Sequence, residues 1–244
     1  MTIDGYCTIG VDREYDLTVD QLLEQMDAAT VDRAVIAPVD RCLAVSNQTG
    51  NNTMLQAAGA HADRLIPSCS ANPWYGVGAV AEVERAIGEG ARMVVLHPFV
   101  QGFLANDELV WPLLETATET NTPVYIHTGM PGNATPWQVV DLADRFPGLD
   151  VIIVHCGATD FWNDLVGAAE SSDQVYFESS LARPFSFSRY VEQVKGQKGI
   201  MGSFAPINGL AFEWEQMRKV LKADVLEDVC GNNLRRLLEK RGDL

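Results

Sequence analysis

The chain has 244 residues, of which 47% are apolar and 21% charged, and its formal net charge is −15 at pH 7. An acidic surface repels phosphate, which argues against nucleic acids and anionic membranes as partners. The sequence lacks the pattern of a signal peptide, and no run of about 18 apolar residues predicts a membrane span. The five cysteines are scattered and odd in number, as expected for reduced thiols in a cytoplasmic protein.

Short β-branched apolar runs alternate with amphipathic segments, which is the pattern of a parallel β/α sheet. Strands are predicted over residues 2–9, 33–38, 64–69, 93–97, 124–127, 151–155, 174–179 and 199–204. Helices are predicted over residues 19–28, 52–61, 79–89, 107–120, 135–146, 161–171, 187–194, 211–221 and 225–240. Eight such units without a glycine-rich phosphate turn favour a closed (β/α)8 TIM barrel over a doubly wound open sheet. Without a break in composition, residues 1–244 are expected to form one domain.

Three of the four histidines end consecutive predicted strands. They are His97, His127 and His155. The strand ends of a parallel barrel share one mouth, where barrel enzymes carry out their chemistry. The sequence therefore predicts that these three imidazoles lie close together in an active site. The fourth histidine, His61, falls on an outer helix and is interpreted as a surface residue.

Other side chains are predicted to face the same mouth. Tyr6 and Thr8 share one parity on the first strand, whereas Cys7 should pack outward as an inert thiol. Tyr6 is either a filler or a phenol that donates a proton to a substrate, and the sequence does not decide between the two. Glu178 and Arg183 follow at the end of the seventh strand. Arg183 is a candidate for binding a substrate carboxylate, with an ion pair to Glu178 as the alternative.

Apolar side chains are expected around part of the mouth. Phe204, followed closely by Pro206, would make the corner after the eighth strand apolar. Four further aromatic residues are candidates for the rim, although large aromatics are more often found in the core. They are Trp74, Phe99, Phe103 and Trp162.

Several short motifs follow one another along the chain. They are Ile3-Asp4-Gly5, Asp32-Arg33-Ala34-Val35, Arg64, Leu96-His97-Pro98, Pro123 to Gly129, Val154-His155-Cys156-Gly157, Gly202-Ser203 and Gly231-Asn232-Asn233. Together they resemble the amidohydrolase superfamily, in particular its aminocarboxymuconate-semialdehyde-decarboxylase-like branch. The resemblance implies a TIM barrel that acts on a small-molecule substrate, and a homo-oligomer is compatible with it.

The metal site implied by the resemblance is incomplete. The superfamily binds a divalent metal with a His-x-His pair on strand one, a histidine ending strand five and an aspartate ending strand eight. His127 matches the strand-five ligand, and His155 matches a strand-six histidine that positions water or substrate. Tyr6 and Thr8 occupy the His-x-His positions, and Phe204 occupies the aspartate position. Because a catalytic zinc site needs at least three protein donors, we expect no metal and no other cofactor there.

These residues support one main hypothesis about function. It is a hydrolase or lyase that acts on a small cyclic or aromatic carboxylate without the usual divalent metal. His155 would be the general acid or base, His127 its partner, and Tyr6 would polarise or protonate the substrate. The expected substrate contacts are Thr8, His97, Glu178, Arg183 and Phe204.

Two alternatives to this hypothesis stay open. The first is a catalytically inactive paralogue that binds a small molecule or supports an active subunit. The second is a metal-dependent hydrolase with relocated ligands, for which the three strand-end histidines could form a zinc site. The sequence leaves the substrate, the reaction type and the oligomeric state open.

Overall fold

The computed structural model describes residues 1–130, 132–158, 161–240 and 242. The strands are β1 Ile3–Val11, β2 Asp16–Leu17, β3 Arg33–Pro38, β4 Leu65–Cys69, β5 Met93–Leu96, β6 Val124–His127, β7 Val151–Val154, β8 Val175–Glu178 and β9 Gly199–Ile200. They form one sheet in the order β2-β1-β3-β4-β5-β6-β7-β8-β9. Every pair is parallel except β1 and β2, which are antiparallel.

Helices follow most of the strands, and most of them pack on the outer face of the sheet. They are α1 Val19–Ala29, α2 Asp40–Ala44, α3 Asn47–Ala60, α4 Val77–Gly88, α5 Pro98–Gln101, α6 Trp111–Glu119, α7 Pro136–Arg145, α8 Leu165–Ser171, α9 Pro184–Gln193, α10 Leu210–Val220, α11 Ala223–Glu227 and α12 Asn233–Glu239. In the described part of the chain, every helix is too short or too polar to cross a bilayer.

The sheet closes into a barrel where the segment after β9 meets β1. The Gly5 amide donates to the Met201 carbonyl at 2.7 Å, and the Thr8 amide donates to the Ala205 carbonyl at 2.7 Å. Cys7 and Ala205 also form a parallel bridge. This closure confirms the predicted (β/α)8 barrel and rules out the doubly wound open sheet.

Alternation along each strand separates two apolar layers. Val94 and Leu96 of β5 pack in the outer layer, whereas Val95 faces the barrel interior. Tyr125 and three leucines of α12 belong to the same interior cluster as Val95, and all of them are buried. Burying one leucine is worth about 1.5–3 kcal/mol, so these two layers supply most of the driving force for closure.

The structure differs from the sequence prediction in several places. The strand β2 was not predicted, because it is a two-residue hairpin partner of β1 with no periodicity to read. The helix α2 was also missed, and α3 begins at Asn47 instead of residue 52. The Asn47 side chain donates to two carbonyls of α2 and accepts from the Asn72 amide at 2.8 Å, so this polar helix start is fixed partly by a tertiary contact. The eighth strand ends at Ile200 and not at 204, where the backbone of Phe204 turns left-handed with φ 59°.

One glycine controls the turn that follows the histidine of β6. Gly129 has φ 95°, and an added Cβ would overlap the Ala158 side chain. We expect Gly129→Ala to lower the free energy of unfolding by about 2–4 kcal/mol, measured by urea denaturation, because left-handed backbone and overpacking each cost about 1–3 kcal/mol. The control is Gly78→Ala in α4, where the new Cβ meets no atom within 4 Å. It should change stability by less than about 1 kcal/mol, and equal losses in both variants would contradict this interpretation.

Candidate active site at the barrel mouth

The three strand-end histidines meet at one mouth, as predicted. His127 is the last residue of β6, while His97 and His155 directly follow β5 and β7. The ring centroids of His97 and His127 are 4.1 Å apart, and those of His127 and His155 are 4.8 Å apart. His127 and His155 are only 4% and 5% exposed, and His97 is half-buried. The structure therefore gathers these imidazoles into one desolvated cluster.

His155 reaches this cluster through a left-handed turn. Ile152 and Val154 face the barrel interior, so strict alternation would point His155 outward. Instead, His155 has φ 65° and Cys156 has φ 52°. This conformation costs roughly 1–2 kcal/mol per non-glycine residue, and such strain concentrates at functional sites. The turn therefore redirects the imidazole toward His127.

A continuous line of hydrogen bonds joins five buried side chains, which we term the relay: Tyr6, His127, His155, Ser180 and Glu178. The Tyr6 hydroxyl lies 2.7 Å from His127 Nε2. His127 Nδ1 lies 3.1 Å from His155 Nε2. His155 Nδ1 lies 2.7 Å from Ser180 Oγ, which donates to Glu178 Oε2 at 2.6 Å. The line of hydrogen bonds therefore runs from Tyr6 on β1 to Glu178 at the end of β8.

Burial determines the charge of each relay member. Desolvation lowers the pKa of His155 to about 3 and lowers the pKa of His127 well below 6.5, with the neighbouring histidines adding to the effect. It raises the pKa of Tyr6 well above 10. Desolvation also raises the pKa of Glu178 to about 7, although the hydrogen bonds from Ser180 and from the His155 amide lower it. Near pH 7 the imidazoles and the phenol are therefore neutral, and Glu178 is close to its midpoint.

Three other predicted site residues border the relay. The Phe204 ring lies 4.6 Å from His155 and 5.6 Å from Tyr6, centroid to centroid, so it covers the relay with apolar surface. Thr8 is buried on β1 beside them. His97 accepts a hydrogen bond from the Val100 amide as the N-cap of α5 and stacks on His127. Burial lowers the pKa of His97 to about 4, so it too is neutral at pH 7.

Arg183 lies apart from the relay, at the start of α9. It is exposed, and among the described residues it forms no ion pair with Glu178. With Trp162, Ser186 and Tyr190 it lines a pocket of about 180 Å³ beside the turn of His155. The Tyr190 hydroxyl is buried and has no hydrogen-bond partner within the described part of the chain. This pocket combines an aromatic wall with a guanidinium group and two hydroxyls.

The chain shares its sequence pattern with one protein family. A family model described as amidohydrolase matches residues 10–240. This chain is an amidohydrolase-family protein. No curated protein matches its sequence.

Solved structures with the same fold are distant in sequence from this chain. An uncharacterised TIM-barrel protein from Bordetella bronchiseptica has a TM-score of 0.81 at 17% identity, covering 99% of each chain. A 2,6-dihydroxybenzoate decarboxylase from Rhizobium has a TM-score of 0.77 at 12% identity, covering 99% of each chain. A 5-carboxyvanillate decarboxylase from Novosphingobium aromaticivorans, in complex with manganese and a nitrobenzoic acid, has a TM-score of 0.80 at 15% identity. It covers 98% of this chain and 96% of that chain. At such identities the similarity establishes the fold alone.

The donor atoms of this chain do not fit the metal site of the amidohydrolase superfamily. Phe204 has no donor atom, and the Tyr6 hydroxyl already bonds to His127 Nε2. The rings of His97 and His127 stack with only 18° between their planes, so their in-plane lone pairs cannot converge on one ion. This geometry also disfavours the three-histidine zinc site. Within the described residues, no group of three or more His, Cys, Asp or Glu side chains could hold a metal ion.

Some residues of the site were missed by sequence reasoning. Ser180, which links Glu178 to His155, was detectable in principle because it lies two positions after Glu178. Asp4 was predicted only as part of the motif that opens the first strand. Its buried carboxylate accepts hydrogen bonds from the Ser203 amide and from Trp214 Nε1, both at 2.9 Å. It also accepts from the Tyr6 amide at 3.1 Å, so it positions the backbone of Tyr6. Of the predicted rim aromatics, Trp74, Phe99 and Trp162 are exposed and Phe103 is buried.

Proposed function

We propose that this amidohydrolase is a hydrolase or lyase that acts on a small cyclic or aromatic carboxylate by metal-independent proton transfer at Tyr6. The observation that carries the proposal is the unbroken hydrogen-bond line from Tyr6 through His127 to His155. The substrate class is supported by the similar structures described as decarboxylases of aromatic acids. General acid–base catalysis by positioned groups is worth roughly 10²–10⁴ in rate.

The relay moves a proton without creating a buried charge on an imidazole. When Tyr6 gives its hydroxyl proton to His127 Nε2, His127 can pass its Nδ1 proton to His155 Nε2. His127 then stays neutral, as its desolvated position requires. His155 stays neutral because it passes its own Nδ1 proton to Ser180 Oγ, which donates to Glu178. The Tyr6 oxygen can therefore take a proton from a substrate atom while it gives its own to His127, or give a proton to the substrate by the reverse transfers. In both directions the histidines only exchange tautomers.

The pocket beside the His155 turn provides the features that bind a carboxylate. Arg183 supplies a guanidinium for bidentate contact, and Trp162 supplies a flat apolar wall. Because Tyr6 and His155 are almost fully buried beneath Phe204, the Phe204 ring must rotate aside for a substrate to reach Tyr6. Thr8 and His97 would then border the bound substrate.

We expect the purified protein to hold no stoichiometric divalent metal after dialysis against a chelator, and its turnover to be unchanged by added Mn²⁺ or Zn²⁺. The physical reason is the loss of donors at Tyr6, Thr8 and Phe204. Elemental analysis measures the metal, and release of CO2 from 2,6-dihydroxybenzoate and 5-carboxyvanillate, with hydrolysis of small aromatic lactones, measures turnover. A metal retained at one equivalent and required for turnover would support relocated ligands instead.

A second candidate function is a catalytically inactive binding protein. It is favoured by the fact that both nitrogens of His127 and of His155 already have partners inside the protein. In that case an aromatic carboxylate would bind with a measurable heat in calorimetry, no substrate of the panel would turn over, and His127→Asn and His155→Asn would both weaken binding.

A further inference from the structure

Glu178 and Ser180 form the inner end of the relay, behind His155. Each carboxylate oxygen of Glu178 has its own backbone donor. The Ser180 amide donates to Oε1 at 2.7 Å, and the His155 amide donates to Oε2 at 3.3 Å. The Ser180 hydroxyl lies 2.6 Å from Oε2 only. When Glu178 takes up a proton, that proton therefore belongs on Oε2, facing Ser180.

Ionised Glu178 fixes one direction of hydrogen bonding along the whole relay. A carboxylate only accepts, so the Ser180 hydroxyl must donate to it. Ser180 Oγ then accepts from His155 Nδ1–H, which leaves His155 Nε2 as an acceptor for His127 Nδ1–H. His127 Nε2 in turn accepts from the Tyr6 hydroxyl. In this state the Tyr6 hydrogen points into the protein, and Tyr6 presents only lone pairs to a ligand.

Protonated Glu178 reverses every one of these hydrogen bonds. Its Oε2–H donates to Ser180 Oγ, and the Ser180 hydroxyl donates to His155 Nδ1. His155 Nε2–H then donates to His127 Nδ1, and His127 Nε2–H donates to the Tyr6 oxygen. The Tyr6 hydroxyl hydrogen is now free to point toward a ligand in the mouth.

We propose that Glu178 is the proton reservoir of the relay, and that its ionisation decides whether Tyr6 offers a hydrogen or a lone pair to a bound molecule. In one turnover a substrate atom takes the Tyr6 proton, each relay member passes one proton along, and Glu178 loses the proton on Oε2. The reverse sequence returns a proton from substrate to Glu178. The catalytic consequence rests on the function proposed above, but the direction of hydrogen bonding exists without a substrate.

The surroundings of Glu178 keep this reservoir active near neutral pH. Burial is the main cause that raises its pKa to about 7, and the charge of Asp4 on β1 raises it further. The other titratable groups that sense Glu178 are two tyrosines and two cysteines, whose pKa values are themselves raised by burial. They are Tyr6, Cys7, Tyr125 and Cys156. These groups stay neutral, as do the relay histidines. Among the described residues, Asp4 is therefore the neighbour whose charge acts on Glu178.

The test reads the tautomers of His127 and His155 directly, by ¹⁵N NMR of histidine-labelled protein between pH 5.5 and 8.5. Signals are assigned with His→Asn variants at each of the four positions. We expect both imidazoles to change from about 90% Nε2–H at pH 6 to about 10% Nε2–H at pH 8, following a midpoint near 7. Tautomers that stay constant in the wild-type protein would overturn the proposal without any variant.

Two variants locate the origin of the change. In Glu178→Gln the amide oxygen should keep the shorter contact from the Ser180 amide, at 2.7 Å, and give up the longer one from the His155 amide, at 3.3 Å. The NH2 group then faces Ser180 Oγ and donates to it. Both imidazoles should then be Nε2–H at every pH, whereas the matched control Glu213→Gln, a buried glutamate of α10, should titrate like the wild type. Ser180→Ala should uncouple His155 from Glu178. A tautomer change that persists in Glu178→Gln would overturn the proposal.

Measuring turnover of the wild-type protein together with its histidine tautomers separates this proposal from the proposed function. If no substrate of the panel turns over but the tautomers change with pH, only the proposed function is contradicted. If a substrate turns over but the tautomers stay constant, only the role of Glu178 as proton reservoir is contradicted.

Discussion

Replacement of His155 by Asn should reduce turnover by about 10²–10⁴-fold while changing the free energy of unfolding by less than about 1–1.5 kcal/mol. Asn tolerates the left-handed backbone at this position better than most residues, and its amide can still bond to Ser180 Oγ. It cannot exchange tautomers, so proton movement stops at His127. His127→Asn should reduce turnover by a similar factor because it disconnects Tyr6 from the line.

The measurements are kcat on the substrate found in the panel and urea denaturation of each variant. The control is His61→Asn at the end of α3, far from the mouth along the chain, which should keep full turnover. A structural role would give the opposite pattern, with lost stability and a modest loss of rate. If both mouth variants kept full turnover, the assignment of the relay as the catalytic machinery would be wrong.

Acidification from pH 7 to pH 5 should remove the stability that the neutral histidines contribute, while buried carboxyl groups oppose this loss. In the folded state the pKa of His155 is lowered from 6.5 to about 3, and that of His97 to about 4. Burial and the neighbouring histidines lower the pKa of His127 well below 6.5. The unfolded chain therefore binds more protons below pH 6.5. Their contribution to stability is present above pH 6.5 and is lost as pH falls, by about 2 kcal/mol at pH 5 for each of His155 and His97. The loss from His127 has the same sign.

Glu178 acts in the other direction. Its pKa is raised in the folded state to about 7 from 4.5, so the folded protein binds the proton more tightly. This contribution is lost as pH rises through 7 and is regained on acidification, by about 2 kcal/mol at pH 5. Urea denaturation at pH 7 and 5 should therefore show a larger acid-induced loss in Glu178→Gln than in the wild type, and a smaller loss in His97→Asn. A stability that does not change between these pH values would contradict the buried neutral cluster.

Local sequence was sufficient for most helices and for the common location of the histidines. Helix α7 was expected over residues 135–146 and is found over Pro136–Arg145, because the Thr135 cap and Pro136 specify its start locally. His97 and His127 follow from alternation on regular strands, since each strand ends at the same face of a parallel barrel.

The links between the site residues depend on contacts that no local pattern contains. The outward parity of His155 is reversed by a left-handed turn, and Gly129 packs against the Ala158 of that turn from another strand end. The pKa of Glu178 depends on desolvation by the assembled barrel and on amides that fold against it.

By itself, then, the sequence determined the barrel and placed Tyr6, His97 and His127 at its mouth, because periodicity and caps act over a few residues. Only the tertiary structure decided that Tyr6, His127, His155, Ser180 and Glu178 form one hydrogen-bonded line and that Arg183 stands apart from it. The physical reason is that hydrogen-bond distance, strain and desolvation are properties of residues up to 174 positions apart in the chain, from Tyr6 to Ser180, once the barrel has closed.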